Sequence, residues 1–318
     1  MRINDQSCTL GVHNCRMDAR TRLRADDLLV LLAVARSGRY TLAGAHLGID
    51  HTTVARRIAA LEDAVGGRLV AQSGAGWELT ALGRQAVDTA GRIESALTQL
   101  AGAGEDHDPI AGVVRLSATD GFSAYIAAPA VARLRRNHPR LSVEIVTATR
   151  RAAAHRPGLD IEIVVGAPQS QRAQGVELGA YTLGMYASRD YLAREGVPAD
   201  AAELMRHPLV YFVDAILQVE ALDLPRRLVP DMVDGLSSTN VFVHVEATRA
   251  GAGIGLLPCF VADRHDDLVR LLPDQFDERL PYWMVVRDES LRIPAVAAVA
   301  EALRAETAAA AEMLAGRG

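Results

Sequence analysis

Two adjacent arginines, Arg56 and Arg57, follow His51, Thr52 and Thr53 in "HTTVARRIAALEDAV". Guanidinium groups match phosphate oxygens and the major-groove edge of guanine, and threonine hydroxyls bond phosphates or base edges. Spacing decides whether these groups act together. On a helix, 52/56 and 53/57 are i,i+4 pairs and lie on one side. Val54, Ile58, Leu61 and Val65 recur at intervals of 4, 3 and 4 and form the opposite, buried stripe. The chemistry implied is contact with double-stranded DNA. His51, Thr52 and Thr53, in the first turn, reach base edges; Arg56 grips a guanine or a phosphate; Arg57 grips a phosphate. A bare arginine pair would be solvated surface charge, and only its setting argues for more.

That setting is a set of short capped helices. Asp26 or Asp27 caps a first helix carrying Leu28, Leu31, Leu32 and Ala35, and Gly38 ends it. Thr41 caps a second, with Leu42, Ala45 and Leu47, and Gly48 breaks it. Asp50 caps the third, which Gly66-Gly67 stops. Three helices with a tight turn between the last two describe a helix-turn-helix, whose third helix enters the major groove. Free N–H groups at the helix starts near Thr41 and Asp50 favour phosphate oxygens too. "RLVAQSGAGWELT" then predicts a hairpin around Ser73 and Gly74, a wing set against the DNA backbone or minor groove. From Ala81 to about Ala101 a long helix carries Leu82, Ala86, Ala90, Ile93, Leu97 and Leu100, a narrow stripe. It suits a seam between two chains; the alternative is packing on its own domain.

Residues 1–104 hold twelve arginines and ten acids, so they carry +2 and the remainder of the -5 chain carries -7. All 34 basic residues are arginine. With 318 residues, 49% hydrophobic and 23% charged, this is an ordinary globular composition of two or three domains. Cys8, Cys15 and Cys259 make no disulfide framework, and Cys8, His13 and Cys15 lack a fourth metal ligand. Reduced thiols, no apolar signal core, and a longest apolar run of about eight residues against the ~20 a bilayer requires imply a cytoplasmic protein without a membrane partner. Residues 1–23 read as an irregular extension, with Met17 an alternative start to Met1.

"GAGEDHDPIAG" reads as a hinge. Beyond it, strands and helices alternate in the rhythm of a parallel sheet with crossover helices. "GAGIGLLP" is not a dinucleotide fingerprint: Leu256 stands where a third glycine is needed, and the segment follows a helix instead of opening one. No catalytic motif is present, so neither an enzyme nor a cofactor is expected.

Residues 26–100 resemble the winged helix-turn-helix and linker helix of LysR-type transcriptional regulators, from "LLAVARSGRYTLAGAHLGIDHTTVARRIAALEDAVGGRLV" through "LTALG". The later chain is similar to that family's effector domain in layout and in "GAGIGLLP" and "PYWMVV". Ala55 stands where the family usually has a polar residue, Val70 where it has Phe, and Gly44 where it has Ala; the wing lacks the arginine that usually follows.

The resemblance implies an α/β multidomain chain. Its parts are a winged helix-turn-helix over 24–80, a linker and dimerisation helix over 81–103, and a two-subdomain, periplasmic-binding-protein-like effector domain over 112–318. Subdomain I covers about 112–180 and 284–310, and subdomain II about 181–283. A small-molecule effector is expected between them, at the carboxyl ends of strands. Thr119 donates to a carboxylate there or serves as an N-cap. Asp120 disfavours an anionic ligand or serves as the cap. Phe122, Gly166, Asp214, Thr239 and Asn240 complete the expected set, Gly166 because a bare backbone lets a ligand approach. Expected partners are a palindromic DNA operator, the effector, and a second copy of the chain, with dimers joined into a homotetramer. The alternatives are a binding or enzymatic α/β module with an attached helix-turn-helix, or an interaction protein that has lost DNA contact.

Overall fold

A computed structural model describes residues 23–73, 76–101, 110–147, 158–168, 174–213 and 229–316. Expectations at Cys8, His13, Cys15, Met17, Gly74 and Asp214 lie outside these residues. The chain forms two compact units, Met1–Glu94 and Ser95–Gly318.

The first unit contains α1 (Ala25–Ser37), α2 (Tyr40–Leu47) and α3 (His51–Val65), then β1 (Val70–Ser73), β2 (Gly76–Leu79) and the start of α4 (Ala81–Ala101). Gly38, Gly48 and Gly66 end the three short helices in the left-handed conformation, with φ of 69°, 66° and 73°. Two expected caps move. α1 begins after Arg24, which leaves Asp26 and Asp27 in the first turn as acids favoured by the helix dipole. α2 begins after Arg39 with no side-chain cap, so Thr41 is an exposed first-turn residue.

The buried side of α2 also differs from expectation. Ala43 and Gly44 face inward, while Leu42 is 53% exposed. A Cβ on Gly44 would stand 2.6 Å from the carbonyl oxygen of Ile49, so the glycine lets the turn close over α2. Leu31, Leu32, Val54, Ile58, Leu61 and Leu69 fill the core. Val87 and Ala90 of α4 are buried in the same core, and Arg36 of α1 makes a two-point ion pair with Glu94 at 2.7 and 2.6 Å. The first four turns of α4 therefore pack on their own unit, as the alternative reading of that stripe holds, while Leu97 is 48% exposed.

In the second unit β3 (Gly112–Ala118) leads into a long helix, α5. It starts as Asp120–Phe122, widens into a π turn at Ser123–Ala127, and continues as Ala128–Asn137. Pro129 has no N–H for the regular ladder, and the wide turn ahead of it is closed by Ala128 N–H donating to Ser123. β4 (Leu141–Thr147), β5 (Ile161–Val165), β6 (Gln174–Ser188), α6 (Arg189–Glu195), α7 (Ala201–Leu204), β7 (Leu209–Phe212) and β8 (Asp234–Ser238) follow. The chain then forms α8 (Val241–Arg249), β9 (Ile254–Pro258), α9 (Cys259–Ala262), β10 (Leu268–Leu271) and β11 (Glu278–Val286). It closes with α10 (Asp288–Leu291), α11 (Pro294–Ala309) and α12 (Ala311–Ala315).

The sheet runs β4-β3-β5-β11-β6-β9-β7-β8, with β10 beside β6. It is mixed, not parallel throughout. β4, β3 and β5 are mutually parallel, as are β9, β7 and β8, and the antiparallel pair β6–β11 joins these halves. β5, "IEIVV", is buried at every residue because both its edges and both its faces are covered. The register of β6 against β11 slips at Tyr282/Trp283, where Leu178 is the unpaired extra residue. Bulges of this kind re-aim side chains beside binding sites. "GAGIGLLP" is a helix end followed by strand β9, as its glycines imply.

Candidate DNA-binding face and effector cleft

α3 is built to offer one side. Asp50 is its N-cap: Oδ1 accepts the Thr52 N–H at 2.9 Å and Oδ2 accepts the Thr52 hydroxyl at 3.1 Å. The backbone bond from Thr52, then its hydroxyl, hold the Asp50 carboxyl below its usual range. His51 Nδ1 lies 3.0 Å from the same carboxylate. Val54, Ile58 and Leu61 are buried, His51, Thr52 and Arg56 are exposed, and Thr53 is half-buried. Arg56 has no ion pair among the described residues. Arg57 behaves differently. Its guanidinium stands 3.8 Å from Asp27 of α1, a carboxylate that is 9% exposed, so it braces α3 against α1. Ser73 ends β1, opposite Gly76.

Glu62 was not singled out from the sequence, and it sets the wing. It is 8% exposed; Oε1 accepts the Leu69 N–H at 2.7 Å and the Val70 N–H at 3.3 Å, and Oε2 accepts Arg68 at 2.9 Å. Burial pushes its carboxyl up, but these bonds outweigh burial and the net shift is downward. Its signal was positional: 58 and 62 are an i,i+4 pair, so an acid at 62 falls at the edge of the buried stripe. Thr80 completes the joint. Its hydroxyl donates to Arg68 at 2.6 Å and accepts the Gly83 N–H at 2.9 Å.

The second unit holds a small, partly open cleft at the carboxyl ends of β3, β5 and β7. Thr119 and Asp120, both anticipated, line it. Thr119 occupies the N-cap position of α5 but makes no cap bond; its hydroxyl is hydrogen-bonded to that of Tyr282. Asp120 reaches across to α8, where Oδ2 accepts the Val241 N–H at 3.3 Å. The other expected residues are elsewhere. Phe122 is fully buried behind the cleft, edge-on to Tyr282 at 4.9 Å, because its position on α5 points into the core. Gly166, with φ of 81°, donates its N–H to Pro281 at 2.9 Å and leaves the lining to Val165. Asn240 is spent as the N-cap of α8, accepting the Phe242 N–H at 2.8 Å. Thr239 is exposed and away from the lining.

The walls that sequence reasoning missed are aromatic. Tyr181 and Tyr282 stack at 4.6 Å, and Phe212 lies at the end of β7. Burial raises the phenols of Tyr181 and Tyr282 far above their ordinary value, so both stay neutral. Behind α8's first turn, His244 is fully buried with Nε2 donating to the Ser238 carbonyl at 2.9 Å. Burial lowers its pKa, opposed in part by that carbonyl and by Asp120.

Two family profiles match this arrangement: the bacterial regulatory helix-turn-helix protein, lysR family, over residues 25–84, and the LysR substrate binding domain over 107–308. The chain belongs to the LysR family. It is a transcriptional regulator with a DNA-binding helix-turn-helix and an effector-binding domain, and its relatives are regulators, not enzymes. The HTH-type transcriptional activator AaeR of Escherichia coli K12 is 28% identical over 244 residues, 74% of this chain and 77% of that protein. TtdR, an HTH-type transcriptional activator of Escherichia coli O6:K15:H31, is 27% identical over 281 residues, 84% of this regulator and 88% of its relative. Among solved structures, ArgP from Mycobacterium tuberculosis superposes with a TM-score of 0.66 at 18% identity, covering 90% of this chain and 97% of that one. No helix among the described residues of the regulator is long and apolar enough to cross a membrane.

Proposed function

We propose that the regulator reads a palindromic operator through the exposed side of α3, with His51, Thr52 and Thr53 at base edges and Arg56 on a guanine or phosphate. Thr41, Ser73 and Gly74 contact the backbone, and Arg57 adds its charge while bracing the head. The carrying observation is the division of α3: Val54, Ile58 and Leu61 are buried, and Arg56 is exposed and without an ion pair among the described residues.

Two copies pair through α4, beyond the turns that pack on the head, and dimers join into a homotetramer in the cytoplasm. The effector sits in the cleft beside Thr119 and Asp120, between subdomains covering about 112–180 with 284–310 and about 181–283. It changes the spacing of the heads only insofar as it binds the two arrangements with different affinity. Footprinting and titration on the DNA upstream of the regulator's own gene test the reading. Protection of two half-sites about one helical turn apart, with affinity falling as salt rises, is expected. Binding indifferent to both salt and half-site symmetry would sink it.

A further inference from the structure

Among the described residues the cleft has one charged lining residue, Asp120, and no cation. Apart from Thr119, its remaining described walls are apolar or aromatic, Tyr181, Tyr282 and Phe212 foremost. The place where an anion would be expected to sit, the first turn of α8, is already occupied by the protein. Asp120 takes the Val241 N–H from the opposite wall and Asn240 takes the Phe242 N–H. An incoming carboxylate or phosphate would meet a like charge where the helix dipole would otherwise welcome it. Asp120 Oδ1 has no partner among the described residues, and Tyr181, Tyr282 and Phe212 line the same cleft. A carboxylate oxygen without a partner in a largely apolar, partly closed cleft is an environment for an ammonium group.

We propose that the effector of this regulator is a compact molecule with an apolar or aromatic body and a protonated amine, the amine held by Asp120 and the body against Tyr181, Tyr282 and Phe212. The inference rests on the cleft being the effector site. A ligand amine on Oδ1 shares the carboxylate whose Oδ2 accepts the Val241 N–H, so occupancy acts on the link between α5 and α8. That link is where ligand charge meets the arrangement of the domain.

Three probes of one shape and different charge test this on the full-length protein by calorimetry: phenethylamine, 2-phenylethanol and 3-phenylpropanoate. The amine is expected to bind at least about tenfold more tightly than the carboxylate, with the alcohol between. Asp120→Asn keeps an acceptor for Val241 and removes the charge. It should shrink the amine-to-carboxylate ratio to about threefold or less while leaving the alcohol unchanged. An amine that does not bind at millimolar concentration, a carboxylate that binds as well, or a ratio that survives Asp120→Asn overturns the proposal. If that variant does not fold, the ranking on the unaltered protein decides. Val165→Trp fills the cleft and should abolish binding of all three. If it does not, the probes bind elsewhere and the cleft assignment itself is what has failed.

Discussion

Arg56 and Arg57 are neighbours in the chain with separable roles. Arg56 is exposed and unpaired among the described residues, whereas Arg57 stands 3.8 Å from the nearly buried Asp27. Arg56→Ala should therefore leave the melting temperature unchanged and weaken operator binding. In a dimer it should reduce the slope of log affinity against log salt by about two, one for each lost phosphate contact. Arg57→Ala should lower stability slightly, by less than about 1 kcal/mol because the guanidinium is partly solvated. Melting curves and salt titrations of the two variants check this; identical behaviour would remove the distinction.

His244 carries a pH dependence. Its folded pKa is depressed by burial, so below the unfolded value of about 6.5 the unfolded chain takes up a proton that the folded chain refuses. Its contribution is complete above that pH and is lost progressively as pH falls toward the folded value. Urea midpoints at pH 7.5 and 5.5 should converge in His244→Gln relative to the unaltered protein, since glutamine still donates to Ser238 and does not titrate.

At the scale of elements, the wing is held to the recognition helix by a single buried carboxylate. Removing Glu62 leaves the Leu69 N–H without its acceptor inside the head, and Glu62→Ala should cost ~2–3 kcal/mol in urea denaturation followed by circular dichroism. The carboxyl is held below its ordinary value. Its contribution is therefore present above the unfolded pKa of about 4.3 and disappears as pH falls through the folded one. A loss no larger at pH 7 than at pH 3 would contradict this role. The joint also explains Gly83, where a Cβ would fall 2.0 Å from the Leu69 carbonyl oxygen.

Much of this head was legible in the sequence because its punctuation is local. Gly38, Gly48 and Gly66 stop helices by a backbone conformation that few other residues adopt, and Asp50 bonds a neighbour two residues on. Thr41 and Asp26/Asp27 misled because a residue able to cap a helix does so only where the backbone leaves the helical region, and packing placed those boundaries two or three residues earlier. The cleft was half legible. Thr119 and Asp120 follow from a strand ending at a helix. The Tyr181–Tyr282 wall depends on strands about a hundred residues apart and on the bulge at Leu178, which no local pattern records.

For the whole molecule, net charge does not explain how an acidic chain approaches DNA. Residues 23–104 hold eight arginines and eight acids, so the +2 of residues 1–104 resides in residues 1–22. Several head arginines are also engaged: Arg36 with Glu94, Arg68 with Glu62 and Arg57 with Asp27. A head without net positive charge has little long-range attraction for DNA, so one copy is expected to bind weakly and the joining of two to supply the affinity. In α4 the residues up to Ile93 pack on the head, whereas Leu97 is 48% exposed in the single chain. An exposed leucine continuing a buried stripe is what a seam with a second copy would cover. Leu97→Glu lies outside the head core and should leave both units folded while converting the assembly to a smaller species by sedimentation. Binding to one half-site should be unchanged. Binding to the full palindrome should fall on the order of 100-fold, because the second head loses the high effective concentration that tethering provides. If the variant still assembles and binds the palindrome as before, the copies are joined elsewhere and α4 is a spacer.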